Sequence, residues 1–295
     1  MQKLKFSILL ALTAAIWGFS FVAQKSGMEH VGPFLFNGIR FALGSLSLVP
    51  LYWFFNRKKK HQASEVNFIA LKNGFVLGLV LFIAANLQQI GLIYTTAANG
   101  GFITSLYVIL VPLLGLVIGK KMGLNIWAGV ILAVIGLYLM SFNEKLVLQL
   151  GDGLVLASAL FWALHIIFIE KYVHKSSVII LSIFQFAATA ILSLIVAVII
   201  EEISIENLQG ALIPILYAGL FSVGIAYTLQ VFAQKKVPSE IAAIILSFES
   251  AFAMLGGWLI LGEQHQWKSL IGAALMLAGI ILSQIKFKTH EKKHL

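Results

Sequence analysis

The chain is a succession of long apolar runs separated by short polar segments. Ten runs lie near residues 5–24, 34–55, 73–93, 98–118, 124–142, 152–169, 177–199, 212–232, 239–261 and 267–286. A bilayer core about 30 Å thick takes about 20 mostly apolar residues of helix, so each run is a candidate span. The strands of a membrane barrel alternate apolar and polar positions over about ten residues. Runs such as Phe75 to Ala85 and Ile191 to Ile200 do not alternate, and the pattern predicts an all-α integral membrane protein with ten transmembrane helices. Lys3 and Lys5 before an apolar run, with Thr13-Ala14-Ala15 beyond it, have the outline of a signal peptide. The run continues through Trp17 to Ala23, which predicts an uncleaved first helix.

Composition agrees. Hydrophobic residues make up 60% of the 295 and charged residues 11%, against roughly 45–50% and 25% in soluble proteins. The formal charge of +9 would suggest nucleic acid in a soluble domain. Here the segments on one side of the spans hold 17 of the 21 Lys and Arg, including Lys3, Lys5, Arg57–Lys60, Lys120, Lys121 and Lys286–Lys293. The other side holds Lys25, Lys145 and Lys268, together with Glu29, Glu144, Asp152, Glu201, Glu202, Glu206 and Glu263. Basic loops face the cytoplasm, so both termini are expected there and no nucleic-acid partner is expected. Arg57–Lys60 would contact anionic lipid or serve only as a topology signal.

The halves repeat. An offset of 145 lays Ala14, Trp17 and Phe41 on Ala159, Trp162 and Phe186. It also lays the polar stripe Thr13, Trp17, Ser20 on Ser158, Trp162, His165, and Asn37, Arg40, Gly44 on Ser182, Gln185, Thr189. An offset of 142 brings Gln88, Ser105 and Gly115 onto Gln230, Ser247 and Gly257, and 143 brings Gly129 and Gly136 onto Gly272 and Gly279. Residues 1–145 and 146–295 therefore read as two five-helix repeats. An odd number of spans per repeat inverts the second relative to the first, an architecture of secondary transporters that rock about a midplane site.

Several chemistries are excluded. The only aspartate is Asp152, and no cysteine is present. No phosphate-binding loop occurs, since Gly119-Lys120 has Leu114 in place of the first glycine and Lys121 behind it. Neither H-E-x-x-H nor G-x-S-x-G is found, and His165 is alone of its kind within the spans. No enzyme, metal or cofactor is expected.

Polar residues inside the spans are the candidate site. Arg40, about 9 Å below the outer end of its helix at 1.5 Å per residue, has three readings: a side chain that snorkels, a cation facing a cavity, or a packing residue. Glu249, near the midplane, is either a proton relay or substrate contact, or a hydrogen-bonded strut between helices. Trp17 and Trp162, too deep for an interfacial belt, either pack or face lipid, or wall a cavity. Ser20, Asn86, Gln88, Asn99, Thr104, Tyr107, His165, Tyr227 and Gln230 offer further hydrogen-bonding groups. Some of them must line a wet cavity, because polar groups facing lipid lose hydrogen bonds. Gly74-x-x-x-Gly78, Gly115-x-x-x-Gly119 and Ala14-x-x-x-Gly18 read as close-packing pairs.

The stretch from Pro238-Ser239-Glu240-Ile241-Ala242 through Leu246-Ser247-Phe248-Glu249-Ser250, Leu259-Ile260-Leu261-Gly262-Glu263 and Ile271-Gly272-Ala273-Ala274-Leu275 to Ala278-Gly279 resembles the EamA-type permeases of the drug/metabolite transporter superfamily. Ala14-Ala15-Ile16-Trp17-Gly18-Phe19-Ser20-Phe21 and Phe36 to Gly44 do so as well. The resemblance implies two inverted EamA repeats around a central cavity that serves efflux of amino acids or other small metabolites. Family members often carry Pro after the glutamate of the ninth helix, where this chain has Ser250; the first half keeps Pro112 but has Tyr107 in place of the acid.

The expectation is a secondary transporter of the cell (inner) membrane. It would export small metabolites, amino acids or related amphipathic solutes, by alternating access, with protons as a candidate coupling ion. Uptake or exchange of a sugar-like or nucleotide-type metabolite is the alternative within transport. A membrane sensor or assembly scaffold is the rival of another class, and it predicts a bundle closed without a solvated centre.

Overall fold

The computed structural model describes residues 2–56, 68–141, 150–264 and 266–285. Arg57–Lys60, Glu144, Lys145, Lys286, Lys288, Lys292 and Lys293, on which the expected orientation partly rests, lie outside them. The described residues contain helices and no strand. Spans 1 to 3 are Gln2–Gly27, Pro33–Asn56 and Phe68–Ile93. Span 4 is two pieces, Ala97–Thr104 and Tyr107–Val117, and span 5 is Leu124–Ser141. Spans 6 and 7 are Leu150–Tyr172 and Val178–Ile200. A short helix, Ile205–Gly210, leads to span 8, which is Leu212–Leu216, a π-helical stretch Tyr217–Tyr227, and Thr228–Ala233. Span 9 is again two pieces, Ser239–Leu246 and Glu249–Leu261, and span 10 is Trp267–Gln284. Among the described residues nine helices are long and apolar enough to cross a membrane. Span 5, at 18 residues, is within the lower part of the range that suffices.

Packing follows the internal repeat. Span 2 lies against span 7, span 5 against span 10 and span 4 against span 9. Span 3 packs on spans 6 and 7, as span 8 packs on spans 1 and 2; span 1 packs on span 9, as span 6 packs on span 4. Exchanging each span with its counterpart five places on maps this set of neighbours onto itself, which is a pseudo-twofold relation between the halves. The axis passes between spans 5 and 10, where Gly129 faces the Gly279 carbonyl and Gly136 the Gly272 carbonyl, and each partner returns the contact. A methyl group on any of the four would overlap the opposing backbone, so the small residues set how closely the two helices approach.

Polarity is arranged inside out. Leu46, Trp53, Phe68, Val117, Ile199, Ile213 and Trp258 face outward, while Thr13, Asn37, Arg40, Gln89, His165, Gln185 and Glu249 are buried. The interior polar groups knit spans together. Thr189 Oγ1 donates to the Gly78 carbonyl at 3.0 Å, and Ser45 Oγ to the Ile183 carbonyl at 3.1 Å. Pro33 opens span 2, where a missing N–H costs nothing. The next two N–H groups, of Phe34 and Leu35, donate to the Glu201 carboxylate from the end of span 7, each at 2.8 Å.

Both breaks tighten the helix in the same way. At span 4, Leu106, Val108 and Ile109 donate three residues back, to Ile103, Ser105 and Leu106. At span 9, Phe248, Ser250 and Ala251 do the same, to Ile245, Ser247 and Phe248. Span 9 therefore breaks although Ser250 stands where relatives often have Pro. Besides the Ser250 N–H, the Ser247 carbonyl accepts from Ser250 Oγ at 2.8 Å and, across the axis, from Ser105 Oγ at 3.0 Å.

Candidate functional site

Spans 1, 2, 3, 4, 6, 8 and 9 enclose a buried cavity lined by Trp17, Ser20, Phe21, Gln24, Arg40, Gln88, Thr104, Tyr107, Trp162, Ile166, Ser222, Tyr227, Gln230 and Glu249. It holds about 30 Å³, room for about two waters at roughly 10–15 Å³ each and too little for a metabolite.

Its aromatic wall comes from both halves. Tyr227 lies 4.5 Å from Trp17, centroid to centroid, and stacks on Trp162 at 6.0 Å. The two tryptophans are 6.5 Å apart. Each indole is fixed by its N–H: Trp17 Nε1 donates to the Ser222 carbonyl at 3.2 Å and Trp162 Nε1 to Gln88 Oε1 at 2.8 Å. Thr13 Oγ1 likewise donates to a carbonyl of the π-helical stretch, that of Ala226, at 3.2 Å. Exposures of 8% for Trp17 and 6% for Trp162 rule out a lipid-facing role.

The polar groups divide into used and unused. Gln88 also donates to Gln24 Oε1 at 3.1 Å and accepts from Thr104 Oγ1 at 3.3 Å, so its amide is engaged at both ends. Gln230, its counterpart in the second half, has neither amide atom paired. Glu249 Oε1 accepts from the Tyr107 hydroxyl at 2.9 Å. Arg40 is 2% exposed, so it does not snorkel. Its guanidinium carbon lies 5.0 Å from the Phe41 ring and 5.7 Å from Phe36, and its Nε has no partner. The ion pairs among the described residues are both made by Lys120, far along the chain from it. A buried guanidinium without a carboxylate is held by cation–π contacts worth about 2 kcal/mol when desolvated, well short of its desolvation penalty.

Sequence comparison then places this arrangement. The EamA-like transporter family matches the chain twice, over residues 5–142 and 149–284. The chain belongs to the EamA-like transporter family. An uncharacterized transporter of Archaeoglobus fulgidus is 32% identical over 288 residues, covering 97% of this chain and 87% of its own. A probable amino-acid metabolite efflux pump of Escherichia coli is 25% identical over 272 residues, covering 90% and 80%. A crystal structure with 17% identity superposes with a TM-score of 0.74 over 94% of this chain and 96% of that one, a likeness of fold. This EamA-like transporter is thus a multi-pass protein of the cell membrane that moves small metabolites, and sensing or scaffolding alone is not what its family gives.

Of the residues singled out from its sequence, Trp17, Ser20, Arg40, Gln88, Thr104, Tyr107, Trp162, Tyr227, Gln230 and Glu249 line the one cavity. Three lie elsewhere. Asn86 clamps spans 2, 3 and 7, donating to the Phe82 carbonyl at 2.8 Å and to Ser193 Oγ at 3.0 Å while accepting from Asn37 at 2.9 Å. Asn99 is half-buried in the first turn of span 4, its backbone N–H on the Thr96 cap at 3.1 Å. His165 sits behind the aromatic wall, edge-on to Trp162 and Tyr227, with Nε2 2.9 Å from Gln185 Oε1. Gln24, Phe21, Ile166 and Ser222 complete the lining. Gln24 carried a signal, since it continues the stripe Thr13, Trp17, Ser20 by one more turn.

Proposed function

We propose that this transporter exports small zwitterionic metabolites, amino acids and related amphipathic solutes, by alternating access with both termini in the cytoplasm. The observation that carries the reading is Arg40, a buried cation on the wall of a central cavity with Glu249 on the same cavity and no carboxylate partner of its own. A buried charge that the protein leaves unpaired favours a guest of opposite sign. The solute's carboxylate goes to Arg40, its ammonium to Glu249, and its apolar body to the faces of Trp17, Trp162 and Tyr227. Gln230 supplies a free donor and acceptor. The probable amino-acid metabolite efflux pumps of Escherichia coli and Salmonella typhimurium, each 25% identical to this chain, support amino acids and the outward direction. The pseudo-twofold axis supports alternating access, because the inverted half can present the same centre to the other side.

Thermal stabilisation of the purified transporter by a solute panel tests this. A ligand at 100 times its Kd stabilises by about 2.7 kcal/mol. Zwitterions should stabilise the wild type more than the matching amines or N-acylated acids, and Arg40→Gln should erase the advantage over the amines. Equal stabilisation by all three classes contradicts the assignment.

A further inference from the structure

Spans 4 and 9 lie side by side, tied at the middle by Tyr107 to Glu249 and by Ser105 to the Ser247 carbonyl. Their ends are tied too, by two loops that repeat each other with the charge reversed. After span 4, Gly119 takes φ +83° and the Lys120 N–H turns back to the Gly115 carbonyl at 2.9 Å. After span 9, Gly262 takes φ +68° and the Glu263 N–H turns back to the Gly257 carbonyl at 3.0 Å. Left-handed backbone of this kind ends a helix at glycine without strain. Gly115 and Gly257 are counterparts at an offset of 142, and Lys120 and Glu263 at 143.

Lys120 Nζ reaches Glu170 Oε2 at 2.5 Å, Glu240 Oε1 at 2.7 Å and Ser239 Oγ at 3.0 Å. It thereby joins the end of span 4 to the end of span 6 and the start of span 9. Glu170 also accepts the Ser239 N–H at 3.2 Å. At the opposite mouth Glu263, seated against Gly257 where any side chain would collide with it, accepts from the N–H groups of Ala97 at 3.1 Å and Ala98 at 3.4 Å. Lys25, at the end of span 1, donates to the carbonyls of Leu92 at 2.8 Å and Ile93 at 3.2 Å. It shares with Glu263 an open vestibule of about 470 Å³. Lys25 is the counterpart of Glu170 at 145, and Ala97 and Ala98 are those of Ser239 and Glu240 at 142. Every member of one cluster thus has its equivalent in the other. In both, a carboxylate accepts from the N-terminal backbone of the first piece of a broken span, one N–H in span 9 and two in span 4, where the helix dipole favours negative charge.

We propose that the two clusters are the latches of the transport cycle: Lys120 with Glu170 and Glu240 holds the piece Ser239–Leu246 over one mouth, and Glu263 holds the piece Ala97–Thr104 over the other. Each piece is jointed to the rest of its span at the break, Ser247–Phe248 or Ser105–Leu106, so its release opens one side and leaves Tyr107 and Glu249 in place. Both latches are shut here, and the cavity between them is correspondingly small. The Lys/Arg bias assigns Lys120 to the cytoplasmic mouth. Burial works against the charge on Lys120, but its hydrogen bonds to Glu170 and Glu240 outweigh burial and raise its pKa, so the latch keeps its cation at physiological pH.

The latches rest on the alternating-access reading, and one experiment separates them. The chain has no cysteine, so Ser222→Cys places a single thiol on the cavity wall, to be labelled by a charged, impermeant methanethiosulfonate from either face of oriented vesicles. Lys120→Gln should speed labelling from the cytoplasmic face about tenfold, the shift that about 1.4 kcal/mol gives, and slow it from the other. Glu263→Gln should do the reverse. Lys120→Arg, which keeps the donors, should leave both rates near baseline. Should Lys120→Gln not fold, Glu170→Gln makes the same prediction with smaller amplitude. A reachable thiol whose two rates ignore both latches, or rise equally with either, overturns the latches alone. A thiol shielded from both faces even with Lys120 and Glu263 both replaced overturns the alternating-access reading and the latches with it.

Discussion

Tyr107 and Glu249 hold the same position in the two repeats, 142 residues apart, and are hydrogen-bonded to each other at 2.9 Å. Each follows immediately on its helix break, one from span 4 and one from span 9, so the pseudo-twofold axis passes through their contact. A symmetric frame here carries an asymmetric pair, a phenol facing a carboxyl. Whatever charge chemistry occurs at the axis falls to one half of the molecule.

Glu249→Gln keeps an oxygen for the Tyr107 hydroxyl and removes the titrating group. The variant should fold, exchange zwitterionic solute between liposome compartments only at a raised KM, and lose accumulation driven by an imposed pH gradient. Flux that ignores the gradient in wild type and variant alike rules out proton coupling through this residue. Tyr107→Phe removes the bond itself and should lower stability by about 1–2 kcal/mol, read from thermal unfolding in detergent.

Arg40 separates function from stability. A buried cation without a carboxylate destabilises the fold that contains it, so Arg40→Met should leave the melting temperature unchanged or raise it. The same change should raise the KM for carboxylate solutes at least tenfold, about 1.4 kcal/mol of lost binding. A lower melting temperature with unaltered KM would make Arg40 a packing residue.

Gln88 and Gln230 are equivalent in sequence but not in use. Gln88→Leu strips partners from Gln24, Thr104 and Trp162, and each buried group so left costs about 1–3 kcal/mol; a marked loss of stability is expected. Gln230→Leu breaks no bond with the protein and should impair transport at near-normal stability. Equal melting shifts for the two would show that the second amide has a structural partner after all.

Gly136→Ala should destabilise by about 1–3 kcal/mol, the usual range for overpacking, because the added methyl meets the Gly272 carbonyl. Gly272→Ala should match it, since the contact is reciprocal. Size-exclusion profiles after heating compare the two directly, and a large difference between them would count against the twofold packing of spans 5 and 10.

Much of this is legible in the sequence. The ten runs became ten spans because uninterrupted apolar stretches of bilayer length have few other uses, and the offsets that linked Trp17 to Trp162 and Gln88 to Gln230 reappear as shared walls of one cavity. Helical periodicity puts Gln24 on the stripe of Trp17 and Ser20. It could not place Ser222, because the π-helical winding of Tyr217–Tyr227 shifts the register on which such reasoning rests. Nor does polarity alone tell a cavity residue from a strut: Asn86 and Gln88, two positions apart, face different neighbours. The latches were hidden for another reason. Lys120 and Glu263 are opposite in charge, so an alignment by residue type passes over them, while Gly115 and Gly257, matched at an offset of 142, give the correspondence away.

The central claim is a single solute site that each side reaches in turn, and counterflow measures it most directly. Liposomes loaded with unlabelled amino acid and diluted into a trace of the labelled form should accumulate label transiently above its external concentration, then release it, and Arg40→Gln should abolish the overshoot. Label that enters in proportion to its concentration, indifferent to internal solute and without an overshoot, would describe a pore and contradict the account.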